Sequence, residues 1–186
     1  MRIIGGQSRG RTIRLPAGCR IRPTTDRVKG ALFDILGSVE GNSILDLFAG
    51  CGNVGLEALS RGACGAVFVE KDLRLIEAIR QNLRFLGFEG RAEVIAADAE
   101  EGIRRLRKRG ACFDLLFTDP PYEEGFLTKI LTRLESGELL TDDGIIILQH
   151  SLREPLEQSV TEALVVSDQR RYGDTLLSFL TKRREE

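Results

Sequence analysis

Four carboxylates and one proline-rich turn carry the chemistry this 186-residue sequence could do. Asp119-Pro120-Pro121-Tyr122 follows the apolar run Phe113 to Thr118, so the turn starts where a buried strand ends. Two successive prolines remove two backbone donors and fix φ, leaving carbonyls and the Asp119 carboxylate as acceptors. Acceptors without donors suit an exocyclic NH2 group. The lone pair of such an amine is drawn into the ring until fixed acceptors hold its protons and localise the pair. Tyr122 can stack on the base and keep the nitrogen in line with an incoming group. Asp119, Pro120, Pro121 and Tyr122 are therefore the candidate catalytic residues, and the bland alternative is an ordinary strand-end turn.

The other three acids, Asp46, Glu70 and Asp98, each close a short apolar run as well. Between the first two lies Gly50-Cys51-Gly52-Asn53-Val54-Gly55, which fits G-x-G-x-x-G, with Glu70 about 20 residues past the first glycine. Taken alone, that spacing fits a dinucleotide. Asp46 argues otherwise, because a carboxylate at the loop mouth repels a pyrophosphate and attracts the ammonium and sulfonium of S-adenosylmethionine. Gly50 and Gly52 let the backbone approach the methionine end, and Glu70 accepts from both ribose hydroxyls. The plainer reading is a βα turn whose carboxylate caps the following helix.

Stepping from strand to helix and back positions these residues. Ile44 to Leu47 reads as a strand, Leu56 and Leu59 as one face of a helix, and Ala66 to Val69 as a second buried strand, which together make a βαβ unit. Asp72 to Gly87 is a predicted helix with Ile76, Ile79, Leu83 and Leu86 inward. Ala92 to Ala97 is a third strand, Ala99 to Lys108 a helix with Ile103 and Leu106 inward, and Phe113 to Thr118 a fourth strand. Phe126 to Leu134 follows as a helix, Ile145 to Gln149 as a fifth strand, and an antiparallel pair spans about Leu164 to Leu180. Upstream, Met1 to Leu15 suggests two short strands in a hairpin. Thr24 or Thr25 caps a helix from Asp26 to Leu36 with Val28, Leu32, Ile35 and Leu36 as its apolar stripe. The predicted class is α/β and Rossmann-like, a mostly parallel sheet of about seven strands with an antiparallel C-terminal hairpin.

Composition sets the remaining bounds. At 42% hydrophobic and 30% charged, the chain supports one sizeable core, so a single domain over residues 1–186 is expected, with 1–23 as a basic extension and 24–186 as the catalytic core. No apolar run is long enough to span or target a membrane, which points to the cytoplasm. Cys19, Cys51, Cys64 and Cys112 form no C-x-x-C pair, and one histidine supplies no zinc set, so no metal is expected and the thiols read as reduced and mostly packed. The net charge of −1 hides an asymmetry: residues 1–30 hold eight basic residues against one acidic. Arg2, Arg9, Arg11, Arg14, Arg20, Arg22, Arg27 and Lys29 are interspersed with Gly and Thr, which suits a folded basic surface for a polyanion. A solvated arm without a partner is the alternative.

Arg22-Pro-Thr-Thr-Asp-Arg27-Val-Lys-Gly-Ala-Leu-Phe-Asp-Ile-Leu36 and Tyr172-Gly-Asp-Thr-Leu-Leu-Ser-Phe179 resemble the opening and closing signatures of the RsmD-type methyltransferases. The resemblance runs through nearly the whole chain. It implies methylation of a guanine N2 in 16S ribosomal RNA, either naked or within the assembling small subunit. It further implies that Arg22, Thr24 and Thr25 close over the methionine end of the cofactor. Asp98 and Ala99 take the adenine in that scheme, and Phe48 and Lys71 complete the cofactor set beside Asp46, Gly50, Gly52 and Glu70. Arg2, Arg9, Arg11, Arg14, Arg20 and Arg27 are the candidate RNA contacts. Gln149 departs from the family pattern, in which an acid often precedes His150, and His150 itself reads as structural or solvent-facing. The turn at Asp119 does not name its base, so an adenine-N6 methyltransferase of DNA or RNA remains an alternative. An NAD-dependent oxidoreductase and a non-catalytic RNA-binding module are the rivals from other classes.

Overall fold

The computed structural model describes residues 1–16, 18, 25–122, 125–154, 156 and 161–183, in two units, Met1–Asp98 and Ala99–Glu186. In the first unit, α1 (Asp26–Leu36) starts at Thr25, whose hydroxyl accepts from the Val28 N–H at 3.3 Å, and it stops at Gly37 in a positive-φ conformation. The Thr24 alternative for the cap lies outside the described residues. Val28, Lys29, Leu32 and Phe33 are buried, whereas Ile35, expected in the apolar stripe, is exposed. Phe33, two residues earlier, is buried in its place.

The βαβ unit follows as β1 (Ser43–Leu47), α2 (Asn53–Ser60) and β2 (Gly65–Glu70), then α3 (Leu73–Leu86) and β3 (Ala92–Ala96). These strands are parallel in the order β3-β2-β1, with Leu47 beside Val69 and Glu70 beside Ala96. All eight residues of α2 are buried, and it packs on β1 and β2 at a distance only glycine permits. A Cβ on Gly55 would come within 2.3 Å of the Phe68 ring. In α3, Asp72 caps the first turn by accepting from Arg74 N at 2.9 Å, Gly87 ends it left-handed, and Ile76, Ile79, Leu83 and Leu86 are buried at the expected spacing.

The N-terminal arm departs from expectation. A single antiparallel bridge, Arg2 to Thr12, replaces the two predicted strands. The arm folds back through Ile3 N to Arg11 O at 2.9 Å, Gly10 N to Ile3 O at 2.8 Å and Ile13 N to Met1 O at 3.0 Å, but three donors between these turn to α2. Ile4 N donates to Glu57 Oε2, Gln7 N to Ser60 O and Ser8 N to Ser60 Oγ. Backbone groups spent on a helix cannot extend a ladder. Lys29 also fails its expectation as part of a basic surface. Its side chain is fully buried, with Nζ 3.2 Å from Glu57 Oε2 and donating to Asn53 Oδ1 at 2.8 Å and to Arg2 O at 2.7 Å. Burial pushes its pKa below the ordinary value, against the pull of Glu57.

In the second unit, α4 (Ala99–Lys108) buries Ile103 and Leu106, β4 (Phe113–Thr118) is buried through most of its length, and α5 (Phe126–Leu134) buries Leu127, Ile130, Leu131 and Leu134. β5 (Leu140–Ser151), β6 (Leu164–Tyr172) and β7 (Thr175–Lys182) complete the order β4-β5-β7-β6. β5 runs parallel to β4 and antiparallel to β7, and β6 is antiparallel to β7. β5 begins five residues before the apolar run that announced it, because the register shifts between Phe113 and Leu115 and lets the polar Thr141–Asp143 segment bulge. Alternating helices and mostly parallel strands with an antiparallel C-terminal pair make this a Rossmann-like α/β fold, as expected. No described helix is long and apolar enough to cross a membrane. Cys51 is buried, but Cys64 and Cys112 are exposed, so packing accounts for only one of these thiols, and Cys19 lies outside the described residues.

Candidate active site

Parallel strands deliver their last residues to one edge, and in the first unit that edge carries Asp46, the glycine loop, Glu70 and Asp98. Asp46 is buried, and its Oδ2 accepts from the Gly55 N–H at 2.9 Å, so it does cap the start of α2. A carboxylate has about four acceptor positions, and capping leaves it a negative charge at the loop. Phe48 follows at φ 58, a left-handed conformation a bulky residue adopts only when its surroundings impose it. Gly50 and Gly52 are left-handed as well, at φ 59 and 81. Between them the Cys51 thiol is pushed up to about 12 by burial and by the Asp46 charge, which makes it a neutral packed group.

Glu70 is the hinge of this edge. Its Oε2 accepts from Gly50 N at 2.8 Å, while Oε1 accepts from Lys71 N at 2.8 Å and Asp72 N at 2.9 Å. One side chain thus fixes the glycine loop against the start of α3. Lys71 contributes that backbone donor and leaves its side chain exposed. Asp98, exposed, ends the first unit two residues after β3, and Ala99 opens α4 as a buried residue. Thr25 is accounted for as the cap of α1, whereas Arg22 and Thr24 lie outside the described residues.

The second unit builds the turn after β4. Asp119 is half-buried, Pro120 buried, Pro121 exposed and Tyr122 half-buried. β4 and β5 run parallel with Thr118 beside Leu148, which brings the next residues, Asp119 and Gln149, to the same level. Gln149 Nε2 donates to Asp119 Oδ2 at 2.9 Å and lies 3.5 Å from the Tyr122 hydroxyl. The residue whose role the sequence left open is therefore the one that holds the turn. Its signal was present in a weak form: like Asp46 and Glu70, Gln149 is a polar residue closing an apolar run.

His150, next along β5, is fully buried and structural, not solvent-facing. Nδ1 lies 2.9 Å from Glu154 O and 3.2 Å from Ser151 O, and two carbonyls can only accept, so Nδ1 carries the proton. Nε2 then accepts from the Ser178 hydroxyl at 2.7 Å, and Ser178 Oγ accepts from Gln169 Nε2 at 2.8 Å. With each ring nitrogen engaged and burial pushing its pKa below the ordinary value, the imidazole is neutral. Among the described residues no group of three or more His, Cys, Asp or Glu is placed to hold a metal ion.

Of the candidate RNA contacts, Arg9, Arg11, Arg14 and Arg27 are exposed, Arg2 is exposed but pairs with Asp26 at 3.0 Å, and Arg20 lies outside the described residues. The arm does not hold its arginines alone. Arg11 and Arg14 both lie over the ring of Phe85 on α3, which no reading of the basic arm could anticipate.

Known proteins share this chain plan. The sequence model of a family described as "Conserved hypothetical protein 95" matches residues 1–181. The Bacillus subtilis protein YlbH is 38% identical over 184 residues, covering 98% of this chain and 100% of that one. Ribosomal RNA small subunit methyltransferase D of Escherichia coli K12 is 38% identical over 157 residues, 84% of this chain and 77% of that one. Among solved structures, the Escherichia coli protein yhhF matches with a TM-score of 0.85 at 33% identity, covering 100% of this chain and 99% of that one.

Proposed function

The chain belongs to the Cons_hypoth95 family, the RsmD-type methyltransferases, and on that premise we propose that it methylates the exocyclic N2 of a guanine in 16S ribosomal RNA, using S-adenosylmethionine. The observation that carries the reading is Asp119 held by Gln149 at the end of β4. S-adenosylmethionine supplies an electrophilic methyl group on a sulfonium. The buried Asp46 charge favours its cationic methionine end, Gly50 and Gly52 allow close approach, and Glu70 offers carboxylate oxygens to the ribose, on a frame its three backbone donors already fix. Asp98 and Ala99 take the adenine. These residues fit the cofactor better than NAD, whose pyrophosphate Asp46 would repel.

Asp119 orients the amine. With Gln149 on Oδ2, the carboxylate keeps capacity to accept an N2 proton, and the donor-free Pro120-Pro121 backbone adds acceptors. The nitrogen lone pair forms the N–C bond as the C–S bond breaks with its electrons going to sulfur, and the cationic amine then loses its proton to Asp119 or to water. Tyr122 stacks on the base. Residues 1–186 act as one methyltransferase domain in the cytoplasm, with the basic arm toward RNA in the assembling small subunit.

Transfer of labelled methyl from S-adenosylmethionine to naked 16S RNA, assembled subunits and DNA, followed by nucleoside analysis, tests the proposal. N2-methylguanosine in RNA is the expected product. N6-methyladenine in either nucleic acid would replace the guanine assignment with the adenine one, and no transfer to any of the three would overturn the function.

A further inference from the structure

Resting on the reading that RNA is the substrate, we propose that Phe85, Arg11 and Arg14 form a docking platform for an unpaired stretch of that RNA. A base stacks at Phe85 and the two guanidinium groups hold the flanking phosphates. Phe85 is 46% exposed, on a helix that turns Ile76, Ile79, Leu83 and Leu86 inward. Arg11 and Arg14 approach its centroid to 5.2 and 5.5 Å, and Arg11 Nη1 donates to the Phe85 carbonyl at 3.1 Å. Neither guanidinium has a carboxylate at ion-pair distance among the described residues. Two like charges gathered on one exposed ring repel each other, and an anion between them relieves the repulsion.

The platform is built in advance. Asn82, fully buried one turn before Phe85, accepts from Arg14 N at 2.9 Å and donates to Arg14 O at 3.1 Å, which locks the arm to α3 in one register. Such pre-ordering removes entropy that a flexible arm would lose on binding. A groove of about 460 Å³ extends the surface along α3, lined among others by Arg14, Leu15, Leu73, Arg74, Glu77 and Gln81. Leu15, Leu73 and Phe85 account for three of the five large apolar side chains exposed among the described residues, so the apolar surface of the chain is concentrated here. Glu77, the carboxylate in the groove, is screened by Gln81 at 3.1 Å and Arg84 at 3.2 Å. Apolar and aromatic faces between arginines are what unpaired bases on a phosphate chain require.

Binding of a fluorescein-labelled single-stranded oligoribonucleotide and of 16S RNA, with S-adenosylmethionine affinity as the folding control, tests the platform. Phe85→Ala should weaken RNA binding by about 5- to 100-fold, the cost of about one lost stack, and Phe85→Trp should restore it. Arg11→Gln with Arg14→Gln should lower the log-log salt slope by about 1.4, two single-strand phosphate contacts. In the unaltered protein, light-induced crosslinking to 4-thiouridine RNA should label the peptides carrying Arg11 to Arg14 and Phe85. Wild-type affinity in Phe85→Ala, failure of Phe85→Trp to rescue, or crosslinks confined to other peptides would overturn the platform while leaving the methylation assay untouched. Loss of affinity for assembled subunits alone, with naked RNA bound normally, would assign the face to a ribosomal protein and overturn it too. Absence of any RNA methylation would instead remove the functional reading on which the platform rests.

Discussion

Glu70 accepts three backbone N–H groups from two loops, so its removal affects more than one contact. Glu70→Ala should weaken S-adenosylmethionine binding by about 1.5 to 3 kcal/mol, the usual cost of a lost bond to a charged group, as read by calorimetry. Gln149→Leu keeps the volume and removes the donor to Asp119; single-turnover methylation should fall by about 10- to 100-fold with cofactor affinity retained. Unchanged turnover would show that Asp119 holds its place without Gln149. His150 predicts a pH effect whose sign follows from its burial. The native protein keeps the imidazole neutral, with a pKa below the ordinary value near 6.5, whereas the unfolded chain takes up a proton as the pH falls through that value. Stability from this residue is full above that window and declines as the pH drops through it. Thermal midpoints measured downward from neutral pH should fall, and His150→Asn should flatten the slope. At this scale the acids were legible because an acid closing an apolar run is anomalous in a strand. Gln149 breaks the same pattern without a charge, and its partner is 30 residues away in sequence, so only the pairing of β4 with β5 reveals its role.

Element boundaries were read well where side chains punctuate them. Thr25, Gly37, Asp72 and Gly87 cap α1 and α3, and the apolar spacing within α4, α5 and β4 reproduces their bounds. Reading failed where backbone groups go to a distant element. The arm gives the donors of Ile4, Gln7 and Ser8 to α2, and the start of β5 is hidden in a polar bulge, and neither leaves a periodic trace. Lys29 failed for another reason: on a helix, charge alone does not say whether a partner waits inside. Its pairing with Glu57 in a dry site predicts that Lys29→Met destabilises the protein in urea titration by about 3 kcal/mol, the low end for a broken buried pair, because Glu57 loses its buried ammonium and keeps only Arg61, at 2.8 Å. Adding Glu57→Leu should recover part of the loss, since removing both charges removes the desolvation cost of the remaining one. A double variant no more stable than Lys29→Met would place the energy in packing.

For the whole molecule, a net charge of −1 conceals a basic N-terminus, and that imbalance predicts how RNA binding responds to salt. Arg9→Glu with Arg11→Glu should flatten the log-log dependence and weaken binding while cofactor affinity holds; an unchanged slope would move the RNA surface elsewhere. The asymmetry was visible in sequence, although the helix that receives the arginines was not. The arm is also the roof of the chamber that houses Lys29. Arg2 supplies one of the three acceptors around that ammonium, Ile4 donates to its counter-ion, and the same ammonium grips Asn53, the first residue after the glycine loop. An N-terminal deletion would therefore open a sealed ionic chamber to water beside the cofactor loop. The shortened protein would lose both ligands together, and a defect in folding would pass for a defect in RNA recognition.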